Sequence, residues 1–247
     1  MSQGFSTFRW SNLNHRSAMI NALKNTLSPN LGNVAFNIII DGGQAAHADN
    51  RRISEDFIDR LTAIKECFNL DRSEAARRTF IDAFLIEALK QSSTRRAIVT
   101  QEHSVRDPTK FGNGEIDYVV GHLVIQPGAQ DAEPHLIPSV IMEAKKGNQA
   151  MDAGQLIATM ITAVQLGVAA GTALPEFIPG IMTDGRTWFF VQFGTAFSRG
   201  SLPIYISRNY LIVDNNDAIS EGGCKAIVGI LSGWFEKIGN PRATYFK

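Results

Sequence analysis

In the segment SVIMEAKKG an apolar run is broken first by Glu143 and then, two residues later, by Lys145. Side chains alternate between the faces of a strand, so Glu143 and Lys145 share one side while Val140, Met142 and Ala144 take the other. Upstream, GEIDYVVG sets Asp117 in the middle of another apolar strand pattern, with Ile116, Tyr118 and Val120 pointing away from it. An acid there needs a cation or a donor to offset desolvation. If the two strands are neighbours, Asp117 and Glu143 converge. Two carboxylates, a backbone carbonyl and waters are how Mg2+ or Mn2+ is held, and Lys145 would stand beside the ion. That trio suits phosphodiester hydrolysis: the metal supplies hydroxide and offsets developing charge, and the lysine orients the attacking water or stabilises the pentacovalent phosphorus. The same spacing also describes an ordinary Glu-x-Lys pair on a sheet surface.

A helix must lie before these strands. Within SEAARRTFIDAFLIEALKQ the residues Phe80, Ile81, Phe84, Leu85 and Ala88 make one stripe, and stepping back from Ile81 by four and seven reaches Arg77 and Glu74. These charges extend the core stripe toward its rim; a first-turn acid favoured by the helix dipole and a snorkelling arginine would look the same. Glu87 falls nearer the stripe's edge and ranks below Glu74. Doublets at Arg51-Arg52, Arg77-Arg78, Arg95-Arg96 and Lys145-Lys146 offer phosphate contacts, Lys146 first by its position, though each also reads as a solvated face.

The pattern predicts strands over 34–40, 97–105, 116–125, 139–145, 178–183 and 187–193, and helices over 53–68, 73–91, 149–168 and 218–238. Asp71 or Ser73 caps the second of these helices, and Asp184-Gly185 turns between the last two strands. The helix over 149–168 carries Gln155, Thr159 and Thr162 on a polar stripe opposite Ile157, Met160 and Val164.

The run SEAARRTFIDAFL, VTQEHSV, GEIDYVV, VIMEAKKG, AGQLIATM and GIMTDGRTWFF resembles the PD-(D/E)XK nuclease superfamily over roughly 73–193. It is most similar to the nuclease domain of type I restriction motor subunits and to nuclease-like domains of fungal and crinkler-type effectors. The resemblance implies an α/β fold with a restriction-endonuclease-like core, a mixed central sheet flanked by helices in the order αβββαβ. It also implies catalytic roles for Glu74, Asp117, Glu143, Lys145 and Gln155, with Asp117, Glu143 and Glu74 at a Mg2+ or Mn2+ ion. Glu102, His103 and Arg77 stand in a second tier. The acid on the second strand follows Ile116 where the named motif has proline. No G-x-x-x-x-G-K-[ST] run is present, so translocation by this chain alone is excluded, and neither a G-x-S-x-G elbow nor zinc-ligand spacing occurs.

With 247 residues, 24 basic against 24 acidic side chains and 44% hydrophobic residues, the chain reads as one compact unit: an N-terminal extension over 1–70 packed on a nuclease-like domain over 71–247 that ends in a helix. Zero net charge leaves nucleic-acid binding, DNA before RNA, to a local patch. Cys67 and Cys224 form no disulfide framework, and MSQGFSTFRW lacks a secretory pattern, which predicts an intracellular setting, cytoplasmic or nuclear. Gln165, Gly167 and Gly171 dilute the apolar stretch over 156–174, so no membrane span is expected. A homodimer would fit duplex cleavage. The helix over 218–238 is the face to inspect, although Ile227, Ile230, Leu231, Trp234 and Phe235 suit a core equally. Two other readings stay open: an inactive nuclease-fold module that binds nucleic acid or protein, and a toxin restrained by a partner.

Overall fold

A computed structural model describes residues 35–40, 53–68, 73–93, 97–107, 112–124, 135–144, 156–157, 159–160, 175–195, 201–207, 209–214, 216–240, 242–243 and 245. Of these, 35–40, 103–107, 112–115, 123–124, 135–139 and 201–202 are described as backbone. The strands are β1 (Ala35–Ile40), β2 (Ile98–Asp107), β3 (Gly112–Val124), β4 (His135–Ala144), β5 (Phe177–Thr183), β6 (Thr187–Gly194), β7 (Ser201–Ile206) and β8 (Tyr210–Leu211). Among the described residues there are three helices, α1 (Glu55–Cys67), α2 (Glu74–Gln91) and α3 (Glu221–Glu236). The chain is α/β, with a mixed open sheet.

Seven strands run in the order β1-β7-β6-β5-β4-β3-β2, and β8 pairs β6 beside β7. β1 is parallel to β7 and β4 to β5, while the remaining neighbours are antiparallel. A parallel neighbour needs a long crossover, and the chain between β4 and β5 supplies one, with Leu156, Ile157, Thr159 and Met160 helical within it. These side chains lie close on β5. A Cβ on Gly180 would stand 2.5 Å from Met160 Sδ and 3.1 Å from Leu156 Cδ2, so a larger residue there would require these side-chain ends to shift. The helical residues cover the sheet face that carries Glu143.

The opposite face carries α1, α2 and α3 and most of the apolar core. Tyr118, Val120, Val140 and Met142 from β3 and β4 join Phe84 of α2 and Trp234 of α3 in one cluster. Aromatic rings link its parts: Phe84 lies 5.1 Å from Phe57 and 5.1 Å from Trp188, and Phe190 lies 5.1 Å from Trp234. Edge-on and tilted ring contacts of this kind add to the area they bury. Ile227, Ile230, Leu231, Trp234 and Phe235 are all fully buried within the chain, so that side of α3 serves the core rather than an outer face.

Helix starts follow local chemistry. Ser73 Oγ accepts from Ala76 N at 3.2 Å, and Ser220 Oγ accepts from Gly223 N at 3.1 Å, each meeting an otherwise unpaired donor of the first turn. Asp71 therefore yields the cap to Ser73. The expected strands and helices are found within a few residues of their predicted limits, except the helix over 149–168, of which four residues are described. β7 and β8 carried no prediction. β7 receives β1, so a strand from the first 70 residues shares the sheet. Among the described residues, no helix is long and apolar enough to cross a membrane.

Candidate active site

The site grows from a fork between two strands. β3 and β4 pair from Val124 with His135 down to Tyr118 with Met142, and there the pairing stops. Beyond that point β3 stays paired to β2 as far as Gly112, and β4 stays paired to β5 through Ala144 with Thr183. Asp117 and Glu143 are the first residues past the last pair, set by alternation on the same face. At the fork the Ala144 N–H donates to Asp117 Oδ2 at 2.7 Å, so a carboxylate takes the donor the ladder leaves over. Asp117 is thereby fixed in the mouth of the fork.

Glu143 is 2% exposed, and Thr159 Oγ1, fully buried, donates to its Oε1 at 3.5 Å. The sequence pattern set Thr159 on a polar stripe that could face the site or solvent; the structure turns it inward over the sheet. Thr183, the β5 neighbour of Ala144, is buried too and accepts from Gly185 N at 2.9 Å. The turn that follows is tied by Asp184 Oδ1, which accepts from the N–H groups of Arg186 and Thr187 at 2.9 and 2.7 Å. Gly185, at φ +87, has the backbone conformation this turn requires. The turn stands beside the end of β4 and against Arg77, whose atoms lie 3.8–3.9 Å from a Cβ built on Gly185.

The first turns of α2 close the site. Arg78 donates to Glu102 Oε1 at 2.7 Å, to Asp117 Oδ1 at 3.1 Å and to Glu74 Oε1 at 3.2 Å. One guanidinium thus gathers carboxylates from a helix and two strands. Burial lowers the Arg78 pKa, but the charges of Asp117, Glu74 and Glu102 outweigh it and hold the group above its ordinary value. The Tyr118 hydroxyl donates to the Arg78 carbonyl at 3.4 Å. Burial first, and the neighbouring Asp82 carboxylate second, push this phenol's pKa up, so it stays protonated.

Glu102 owes its place to a backbone irregularity. It adopts φ +51, and the β2–β3 register, regular on both sides, omits the pair that would set Glu102 opposite Asp117. A positive φ is uncommon for a residue with a Cβ and costs on the order of 1 kcal/mol or more, a pattern that gathers at functional sites. Glu102, Asp117 and Glu143 therefore occupy one row across β2, β3 and β4.

The sequence-derived candidates divide accordingly. Glu74, Glu102 and Asp117 meet around Arg78; Glu143 lies at the fork with Thr159; Arg77 is buried beside the Asp184 turn. His103 sits in the β2 backbone opposite Ile116. Lys145, Lys146 and Gln155 fall outside the described residues. Glu74 is 54% exposed, while Glu87, ranked below it, is 5% exposed, because α2 is flanked by both α1 and α3 and its buried face is broader than one stripe. Sequence reasoning missed Arg78 as a site residue. Its signals were the doublet with Arg77 and its place four residues after Glu74.

The oxygens at the fork are hard ligands of the kind Mg2+ and Mn2+ select. Among the described residues, no three His, Cys, Asp or Glu side chains converge as a ready cage. Asp117 and Glu143 supply two such carboxylates at the fork, and an ion held by them would have to keep several waters. No protein-family model matches this chain, and no curated protein is detectably similar to it in sequence.

Proposed function

We propose that this protein is a metal-dependent nuclease that hydrolyses phosphodiester bonds, DNA before RNA, on a restriction-endonuclease-like core of the PD-(D/E)XK type. The observation that carries the reading is the fork: two acids from adjacent strands are the first residues beyond the last β3–β4 pair, on one face, at the carboxyl end of the parallel strands β4 and β5. Ligand crevices of α/β sheets open at such ends. When bound there, Mg2+ or Mn2+ would supply activated water and offset charge on the phosphate. Asp117 and Glu143 hold it. Asp117 is oriented by the Ala144 N–H and Glu143 by Thr159, so neither side chain has to find its pose anew when substrate arrives. Lys145 orients the attacking water, and Gln155 steadies a phosphate or Lys145.

The test is cleavage of supercoiled plasmid, linear duplex, single-stranded DNA and RNA with Mg2+, Mn2+ or EDTA, using wild type beside Lys145→Ala and Asp117→Ala. Cleavage that requires metal and vanishes in both variants supports the reading. Undiminished cleavage by both purified variants sinks it.

One observation favours a second reading. Asp117 Oδ1 already accepts from Arg78, so an internal cation occupies part of the space a metal would use, as expected for a nuclease-fold module that binds nucleic acid without cutting it. Salt-sensitive DNA binding without cleavage under any metal would select this alternative.

A further inference from the structure

The Arg78 side chain is shared unequally. Among the described residues its Nη1 donates to Glu102 at 2.7 Å, whereas its Nη2 donates one N–H to Asp117 at 3.1 Å and one to Glu74 at 3.2 Å. Glu74 and Glu102 are both exposed, while Asp117 is largely covered and has its other oxygen fixed by Ala144 N. The guanidinium therefore has two outer anchors and one inner contact. Releasing Asp117 requires the loss of one of the two hydrogen bonds that Nη2 donates. Glu102 and Glu74 would retain the side chain meanwhile.

From this geometry we propose that Arg78 is a positioning residue that holds Asp117 in the metal-free protein and competes with the divalent cation for it, withdrawing onto Glu74 and Glu102 when the cation binds. The inference rests on the metal-dependent reading of the fork and assigns its regulation. It also changes the part played by two acids: Glu74 and Glu102 serve as the resting place of the arginine and not as ligands of the metal. A guanidinium and a divalent cation on the same carboxylate repel each other strongly in a partly buried site. Metal affinity is accordingly set low by Arg78 and rises when its charge is removed. The left-handed backbone at Glu102 fits this role, since it marks the residue that offers the shortest of the three carboxylate contacts to the guanidinium.

The experiment is calorimetric titration of the full chain with Mn2+ at fixed ionic strength, without nucleic acid. The proteins are wild type, Arg78→Met, Arg78→Gln, Arg78→Lys and Asp117→Asn, each checked for folding by circular dichroism. Arg78→Met and Arg78→Gln should bind Mn2+ about tenfold more tightly than wild type, because like charge has been removed from beside the ligand. Arg78→Lys keeps the charge and should stay within about threefold of wild type. Asp117→Asn should abolish binding. If Arg78→Met does not fold, Arg78→Gln, which keeps a donor for Asp117 Oδ1, carries the test alone.

Neutral variants that bind no better than wild type, while Asp117→Asn still abolishes binding, overturn the role of Arg78 and leave the metal site standing. Silence in wild type with binding in the neutral variants supports the proposal in its strongest form. Binding that ignores Asp117→Asn, or none in any protein, overturns the metal reading and the inference with it. A cycle separates the acids: Glu102→Gln should weaken Mn2+ binding in wild type but leave it nearly unchanged in Arg78→Met, whereas a direct ligand would be missed equally in both.

Discussion

At its C-terminal end α2 carries Glu87, whose carboxylate accepts from Ser54 N at 3.2 Å, from Ser54 Oγ at 3.5 Å and from Gln91 Nε2 at 2.9 Å. Thirteen residues earlier, about 20 Å along the axis, Glu74 lies half in solvent and shares an arginine with two other acids. The first acid is buried among neutral donors and ties the start of α1 to α2. Among the described residues, charge there is matched by hydrogen bonds, and these hold two helices together. At the other end charge is matched by charge, with one cation set among three carboxylates on three separate elements. Under the proposed function that balance would shift on arrival of a further cation or a phosphate, which would distinguish a site from a tie.

The comparison can be broken most sharply at the fork. Asp117→Asn or Glu143→Gln should lower metal-dependent cleavage by about a hundred- to thousandfold with the thermal midpoint little changed. Equal loss of stability and activity would mean that the fork is structural. The core behind α2 comes next: Phe84, fully buried between Phe57 and Trp188, should cost about 3–5 kcal/mol on Phe84→Ala, read by denaturant unfolding. Glu87→Ala should remove about 2 kcal/mol by leaving Ser54 N without its acceptor, while cleavage by the folded fraction stays as in wild type. A loss of kcat in that variant would show the two ends of the helix to be coupled. Smallest is Ser73→Ala, expected to cost about 1 kcal/mol as a lost cap, with a modest fall in activity because the same turn carries Glu74, Arg77 and Arg78.

Much of this arrangement was legible in the residues. Alternation alone put Glu143 opposite Val140 and Met142, and those two are in the apolar cluster while Glu143 faces Thr159. Ser73 announced the start of α2 by type and position. What was hidden depends on tertiary context. Arg77 and Arg78 are neighbours in sequence, and only the way α2 lies against β3 decides which one meets Asp117. Glu102 reads as an ordinary strand acid, since nothing in VTQEHSV signals a left-handed backbone in its middle. β7 was obscured by Pro203, which argues against a strand between two others; it pairs with Asn37, and the β6 ladder begins beside it at Ile204.

The pairing of β1 with β7 has a consequence for how the molecule is made. Ala35 lies beside Ser201 and Ile40 beside Ile206, so the first strand has no partner until nearly the whole sheet has been synthesised. At ordinary translation speeds β1 emerges from the ribosome about 10 to 30 seconds before β7 does. For that interval a short run of Ala, Phe and three isoleucines is a natural client for chaperones, and a stalled or prematurely terminated chain would keep it uncovered. Such fragments should be the aggregation-prone products of this gene, while the longer chain pairs the backbone of the same segment with β7 as soon as that strand arrives.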